Sequence, residues 1–456
     1  LSRSMWGRRP LFVFLMQEEG VFRRRGTFLT NRIAPSGLAA AEASFALGLS
    51  EAAFFYLMPS SCSTSATTIP RDSFSGAAQK SAQAKSFANR SAVPEKFLSS
   101  VPDWEAVYEL GFPGLLDRVL KSLEREGFMA IEKGGVQPNP RMNFVRDTID
   151  WIRDQGVKAI IAVGGGSVID TAKAVAVGVE YEGDAWDFFE GKASPKQALP
   201  VFAVLSIPGA GSEQSARAVL THHGDKVGIG SGLIRPRAAI INPQWFSSVP
   251  PNHIAAGVVD MLSHILERYF SKTPHTEFVD GQAEAAMRTI LDFGPKVLAD
   301  RQDYDAWSQI AMAGSFAHNG YFGLGREEDW ACHGIEHEIS GWNEAVVHGA
   351  GLAVVIPAWM RYVSGFAPER FLQFSRNVMN ITADDADEAV IRQGIGKLVA
   401  WLEKMGLSTS LDALGIGDCP IASLARHAAR GGKLGALKPL DSNDVLAILE
   451  LAKSSN

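Results

Sequence analysis

Cysteine is nearly absent from this chain. Cys62, Cys332 and Cys419 are scattered over 456 residues, too few and too far apart for a disulfide framework, and a reducing compartment fits them. Long apolar runs are also missing. No stretch approaches about eighteen residues without a charge or a turn residue, so no membrane span is expected. Nor is there an overall basic excess: a net charge of -6 and a pI near 6.0 argue against a nucleic-acid binder, for which a basic face is expected. What remains is 46% hydrophobic and 21% charged, the balance of a soluble globular protein. The length exceeds one ordinary core, so two domains with appendages are expected.

Acid is scarce at the start. Residues 1–97 carry 12 Lys+Arg against 6 Asp+Glu and are rich in Ser, Ala and Thr. That composition matches a mitochondrial or plastid transit peptide. The alternative is sequence foreign to the protein, since the chain opens on Leu1; without a presequence the protein would be cytoplasmic. Either way 1–97 is expected to lie outside the fold, because Pro59 to Arg90 has few large aliphatics to offset its ordering entropy.

From about Pro113 the pattern becomes regular. Leu116, Val119, Leu120 and Leu123 form a helical stripe, Phe128 to Glu132 reads as a strand, and Gly134 to Pro140 must be a loop. Asn143 to Gln155 repeats the helical period. Ala159 to Val163 is a buried parallel strand opening into Gly164-Gly165-Gly166, with helix from Ile169 to Val179. Strand, glycine turn and helix make half of a nucleotide-binding unit. The glycines allow positive φ and close approach of backbone amides to a phosphate, and the helix beginning near Ser167 adds donors and a positive dipole end. Asp170 and Lys173 share its first turn. A tight packing turn would look the same. A second glycine loop, Ser206 to Glu213, follows the strand Val201 to Leu205, and Lys226, after a turn at Gly224-Asp225, can reach a phosphate or sit solvated. After Pro250 helical periodicity dominates to Ala452. The expected fold is thus an α/β Rossmann-like nucleotide-binding domain over 98–248 followed by an all-helical metal-binding domain over 249–456.

The metal reading comes from Asp260 and His264, one helical turn apart, with His333, His337 and His348 further on. One carboxylate and several imidazoles suit Zn²⁺ or Fe²⁺ and can leave a coordination position open. A rival reading takes His333-Gly334-Ile335-Glu336-His337 as the His-x-x-Glu-His pattern of inverted zinc peptidases, which requires Glu336 to point at the metal. His222, His223, His253, His275 and His427 lack ligand spacing. His318 could approach the cleft, but burial with a local hydrogen bond is the plainer expectation. For Trp330 and Trp342 the choice is between pocket wall and core, and Cys332 should face away from the metal.

Taken together, Gly164-Gly165-Gly166-Ser167 with Asp170 and Lys173, the Pro-Asn-Pro loop at 138–140, Gly211-Ser212-Glu213, Asp260-x3-His264 and His333-x3-His337 with His348 resemble the iron-containing (group III) alcohol dehydrogenase family. Gly228 to Ser231, Gly257 to His264 and Asp329 to Glu338 are most similar to its butanol dehydrogenase, or aldehyde reductase, type. The resemblance covers roughly 113–456. It implies a metal-dependent, NAD(P)H-linked alcohol dehydrogenase or aldehyde reductase acting on a small alcohol or aldehyde, and a homodimer. It implies Asp260, His264, His333 and His348 as ligands of Fe²⁺ or Zn²⁺, with His337 as proton relay. Asn139, Gly165, Gly166, Ser167, Asp170 and Lys226 are the implied cofactor contacts.

Three departures from the family pattern stand out. No strand upstream of Leu115 carries the family's first Gly-Gly-Gly-Ser loop, and residues 91–114 stand in its place; a non-catalytic remnant of the family is therefore an alternative, with an exposed sheet edge. Ala210 replaces a usual threonine, removing a donor worth about 1 kcal/mol. Arg217 stands where a small polar residue is common. Its charge favours NADP(H) over NAD(H), the alternative being a surface salt bridge.

Overall fold

A computed structural model describes residues 11–16 and 54–57 as backbone strands and residues 114–454 in full. A six-stranded sheet lies at the centre of the first half. Its strands are β1 (Leu11–Met16), β2 (Phe54–Leu57), β3 (Met129–Gly134), β4 (Val157–Gly164), β5 (Val201–Leu205) and β8 (Ala238–Ile241), in the order β2-β8-β5-β4-β1-β3. β4, β5 and β8 are parallel neighbours, whereas β1 runs antiparallel to both β3 and β4 and β2 antiparallel to β8. β4 is buried along almost its whole length, as a strand covered on both faces must be.

Two expectations fail here. Residues 1–97 do not all lie outside the sheet: the apolar run Leu-Phe-Val-Phe-Leu-Met pairs with Gly134 to Met129 on one side and Val163 to Val157 on the other. β4 is consequently not the exposed edge that a missing strand would leave. The position is filled by a strand of opposite direction that lacks the family's glycine loop. Residues 91–113, which stand in the place of that strand, lie outside the described residues, as does most of 1–97.

The helices α1 (Leu115–Arg125), α2 (Met142–Ile152) and α3 (Gly166–Gly178) follow the predicted stripes to within a few residues. α1 buries Leu115, Val119 and Leu123, each contributing roughly 2 kcal/mol. A hairpin that periodicity did not reveal, β6 (Arg217–His222) and β7 (Asp225–Gly230), forms a separate two-stranded sheet. A one-turn helix, α4 (Trp186–Phe189), lies between α3 and β5.

The second half is helical, as expected. α5 (Pro251–Tyr269) is its central element, enclosed by α6 (Glu277–Ala299), α7 (Tyr304–His318), α8 (Ala331–Trp342) and α9 (His348–Val363), with α10 (Pro368–Asn377), α11 (Asp387–Lys404), α12 (Ile421–Ala428) and α13 (Ser442–Leu451) outside. Burial of α5 is nearly continuous from Ile254 to Tyr269. Polar side chains on such a helix need partners, and α5 carries Asp260, Ser263, His264, Glu267 and Arg268. Among the described residues no helix is long and apolar enough to cross a membrane.

Candidate metal and cofactor site

Asp260, His264 and Glu267 fall on one stripe of α5 at i, i+4 and i+7. α8 and α9 bring His333 and His348 to the same point. Asp260 Oδ1 lies 3.7 Å from the Nε2 atoms of His264, His333 and His348. This equal spacing is close to the edge of a tetrahedron of ligands, about 3.5 Å, around an ion bonded at about 2.1 Å. Asp260 Oδ1 and His333 Nε2 are buried without a hydrogen-bond partner, the condition a bound cation relieves. The donor set and its orphaned atoms fit a divalent ion.

Two further carboxylates hold the imidazoles. Glu267 Oε1 accepts from the His333 backbone N–H at 2.9 Å and pairs with Nδ1 at 3.0 Å. Glu336 Oε2 pairs with His348 Nδ1. Both leave Nε2 aimed at Asp260, the arrangement that orients histidine ligands in metal sites. Burial would raise the Asp260 carboxyl, but His264, His348 and His333 outweigh it and hold it well below the usual range. Burial would depress His333, yet Asp260 and Glu267 hold it up at about 9.

Glu336, His337 and His348 form a second cluster of donor atoms. Lys226 Nζ already lies 3.9 Å from Glu336 Oε2, and its charge opposes a cation there. Glu336 is fully buried behind His348, to which it is hydrogen-bonded. Its bond to His348 Nδ1 leaves the inverted zinc-peptidase geometry without support. His337 faces the same space, its ring 5.4 Å from that of His348; burial first, then Lys226, push its pKa well below the ordinary histidine value. Cys332 is buried outside the ligand cluster.

Trp330 and His318 wall the site. The Trp330 ring stands edge-on to His333 at 5.1 Å and to His318 at 5.7 Å, and His318 packs on His264 at 4.0 Å. Trp342 is 44% exposed and belongs to no core. Glu267 was missed as a site residue, Glu336 was weighed only as the acid of the rival reading, and His318 both approaches the cleft and pairs with Arg268 at 3.3 Å. Glu267 had a readable signal, an acid seven residues after Asp260 on an otherwise apolar helix.

The glycine turn differs from expectation in detail. None of Gly164, Gly165 and Gly166 has positive φ. Glycine is needed there for room: a Cβ at 164 would meet Val168 Cγ2 at 2.5 Å, and one at 166 would meet Ala210 Cβ at 3.0 Å. No side chain caps the start of α3, so the amides after Gly165 are available to an anion. Asp170 and Lys173 engage the second glycine loop and the strand after it. Ser212 Oγ donates to Asp170 Oδ1, and Lys173 Nζ donates to Ser212 Oγ and Arg217 O, both at 2.7 Å. They tie α3 to the second glycine loop, with burial lowering Lys173 to about 8. Asn139 has φ 53, and its loop is pinned to β6 by Thr221 N–H donating to Pro140 O at 2.8 Å. Lys226 lies against α8, donating to Ser340 Oγ at 3.2 Å.

The two halves meet at glycines. Gly257 on α5 lies so close to the second loop that a Cβ would come within 2.7 Å of Pro208 O. Gly211 has φ +64 and packs on Gly314 and His318 of α7. A glycine turn opening an uncapped helix thus adjoins a buried carboxylate–imidazole cluster, the combination that a nucleotide-linked metalloprotein requires.

Comparison with known proteins agrees. Residues 107–243 match the iron-containing alcohol dehydrogenase family, and 254–453 match the Fe-containing alcohol dehydrogenase family, C-terminal. A probable NADH-dependent butanol dehydrogenase 1 of Bacillus subtilis is 37% identical over 340 residues, 74% of this chain and 88% of that protein. The NADPH-dependent aldehyde reductase YqhD of Escherichia coli is 33% identical over 70% of this chain and 83% of its own length. The crystal structure of NADH-dependent butanol dehydrogenase A from Thermotoga maritima superposes with a TM-score of 0.72 at 36% identity, covering 75% of this chain and 88% of that one. The chain belongs to the iron-containing alcohol dehydrogenase family, and within it to the butanol dehydrogenase type. The match runs through both halves of the site, which argues against a shortened remnant.

Proposed function

We infer that the chain is a metal-dependent, nicotinamide-linked alcohol dehydrogenase or aldehyde reductase, catalysing aldehyde + NAD(P)H + H⁺ ⇌ alcohol + NAD(P)⁺. The observation that carries this reading is the single carboxylate oxygen equidistant from three imidazole nitrogens, beside a glycine turn with an uncapped helix.

Asp260, His264, His333 and His348 would hold the ion; when bound, a divalent ion supplies Lewis-acid polarisation of the substrate oxygen. One carboxylate with three imidazoles suits iron and zinc alike. Gly165, Gly166 and Ser167 present amides to the cofactor pyrophosphate, while Asp170 holds the second loop in place through Ser212. Asn139 and Lys226 border the cleft from the hairpin side. His337, kept neutral by burial, is suited to pass a proton between solvent and the substrate oxygen. Trp330 and His318 exclude water from the imidazoles. Relatives named for NADH and for NADPH are both similar to this chain; a preference for NADPH is the expectation to test.

The test is fluorescence titration of NADPH and NADH into metal-reconstituted protein, followed by butanal reduction. Tight binding with turnover that is lost in His264→Ala is the expected result. A folded, metal-loaded protein that binds neither nucleotide would sink the reading.

A further inference from the structure

Arg217 is the first residue of β6, directly after the second glycine loop. Its backbone is fixed at both ends: the N–H donates to Ser215 Oγ at 2.9 Å and the carbonyl accepts from the buried Lys173 at 2.7 Å. Its guanidinium rests over the Trp330 ring at 5.4 Å. That ring is itself immobilised, because its Nε1–H donates to Glu328 at 2.6 Å and Arg268 stacks on it at 4.6 Å. The two arginines differ in one respect. Arg268 is buried and compensated by Glu328 at 3.0 Å, whereas among the described residues the exposed Arg217 guanidinium pairs with no carboxylate. Among the described residues, the surface salt bridge that would make it an ordinary surface arginine is not formed. A free, pre-oriented guanidinium therefore stands one indole away from His333, whose ring touches the edge of Trp330 at 5.1 Å.

We propose that Arg217 binds an anionic substituent of the substrate, and that the preferred substrates are short aldehydes carrying a carboxylate. The proposal rests on the reductase reading and narrows its substrate class. A planar guanidinium forms paired hydrogen bonds with such an anion. The reaction is unchanged in kind: hydride from the dihydronicotinamide forms a C–H bond at the carbonyl carbon, the oxygen takes a proton, and the anionic group is untouched. The competing source of negative charge is the 2′-phosphate of NADPH. That phosphate belongs to the adenosine half of the cofactor, beyond the pyrophosphate held at the glycine turn. Arg217 stands instead on Trp330, whose ring also contacts the His333 imidazole.

The experiment compares kcat/KM for 4-oxobutanoate and for the neutral pentanal, each with NADH and with NADPH, in metal-loaded wild type, Arg217→Gln and Arg217→Lys. Thermal melts verify that the variants fold. The expected result is a wild-type preference for 4-oxobutanoate, with the ratio of the two kcat/KM values falling about 10- to 100-fold in Arg217→Gln and partly restored in Arg217→Lys. An unchanged ratio overturns the proposal. So does a fall in the NADPH to NADH ratio with the aldehyde ratio intact, which assigns the guanidinium to the cofactor phosphate. Turnover of neither aldehyde by the wild type overturns the reductase reading itself.

Discussion

Glu267 contributes nothing to the ligand set and much to its geometry. By holding both the backbone and Nδ1 of His333, it selects the tautomer that presents Nε2 to Asp260. Glu267→Gln should weaken metal binding about 10- to 100-fold while the protein still folds, measurable by titrating zinc into metal-free protein against a competing chelator. An affinity equal to wild type would leave Glu267 as a mere packing residue. Spacing made the pairs Asp260 with His264 and His333 with His337 legible, because residues four apart share a helix face; His348, on another helix, entered the ligand set by family resemblance. The carboxylates behind them were not legible, since pairing with a histidine on another helix leaves no periodic trace.

The elements meet with little space to spare. At Gly257 even a methyl group would collide with Pro208 O, so Gly257→Ala should separate the second glycine loop from α5. We expect a loss of about 1–3 kcal/mol, read as a lowered Tm, together with weaker nucleotide binding. A variant as stable as wild type would mean that the loop yields freely. The last helix offers a pH test. Burial nudges Asp444 upward, but hydrogen bonds from Lys438 and from Tyr362 outweigh it and hold the carboxyl at about 2. A depressed folded-state value stabilises above the unfolded value near 4 and is lost as pH falls toward 2. The loss of Tm between pH 4 and pH 2 should therefore be smaller in Asp444→Asn than in wild type. Identical acid slopes would remove the argument; the group is near the surface, so the effect stays below about 1 kcal/mol.

Across the whole molecule, the least anticipated feature is β1. A strand paired on both sides cannot lose an amide without breaking a ladder, so Val13→Pro should destabilise the sheet by about 3 kcal/mol. No change in Tm would place residues 11–16 outside the folded core after all. Composition pointed away from these residues, because the basic, Ser-rich surroundings dominate any average taken over 1–97. Six apolar residues suffice for a strand once a sheet supplies both neighbours.

The amino-acid sequence alone determined the order of the two domains, the strand–glycine–helix unit at Val157 to Gly178 and a pool of five candidate metal donors, because these depend on local period and residue chemistry; the choice of four among the five rested on family resemblance. It also displayed Arg217, Lys226 and Glu336 without assigning their surroundings. Only the tertiary structure decided that Arg217 lies on Trp330 without a carboxylate, that Lys226 neutralises Glu336, that the turn glycines serve packing and not positive φ, and that β1 enters the sheet. Each of these depends on contacts between residues distant in sequence, and only the folded chain brings those partners together.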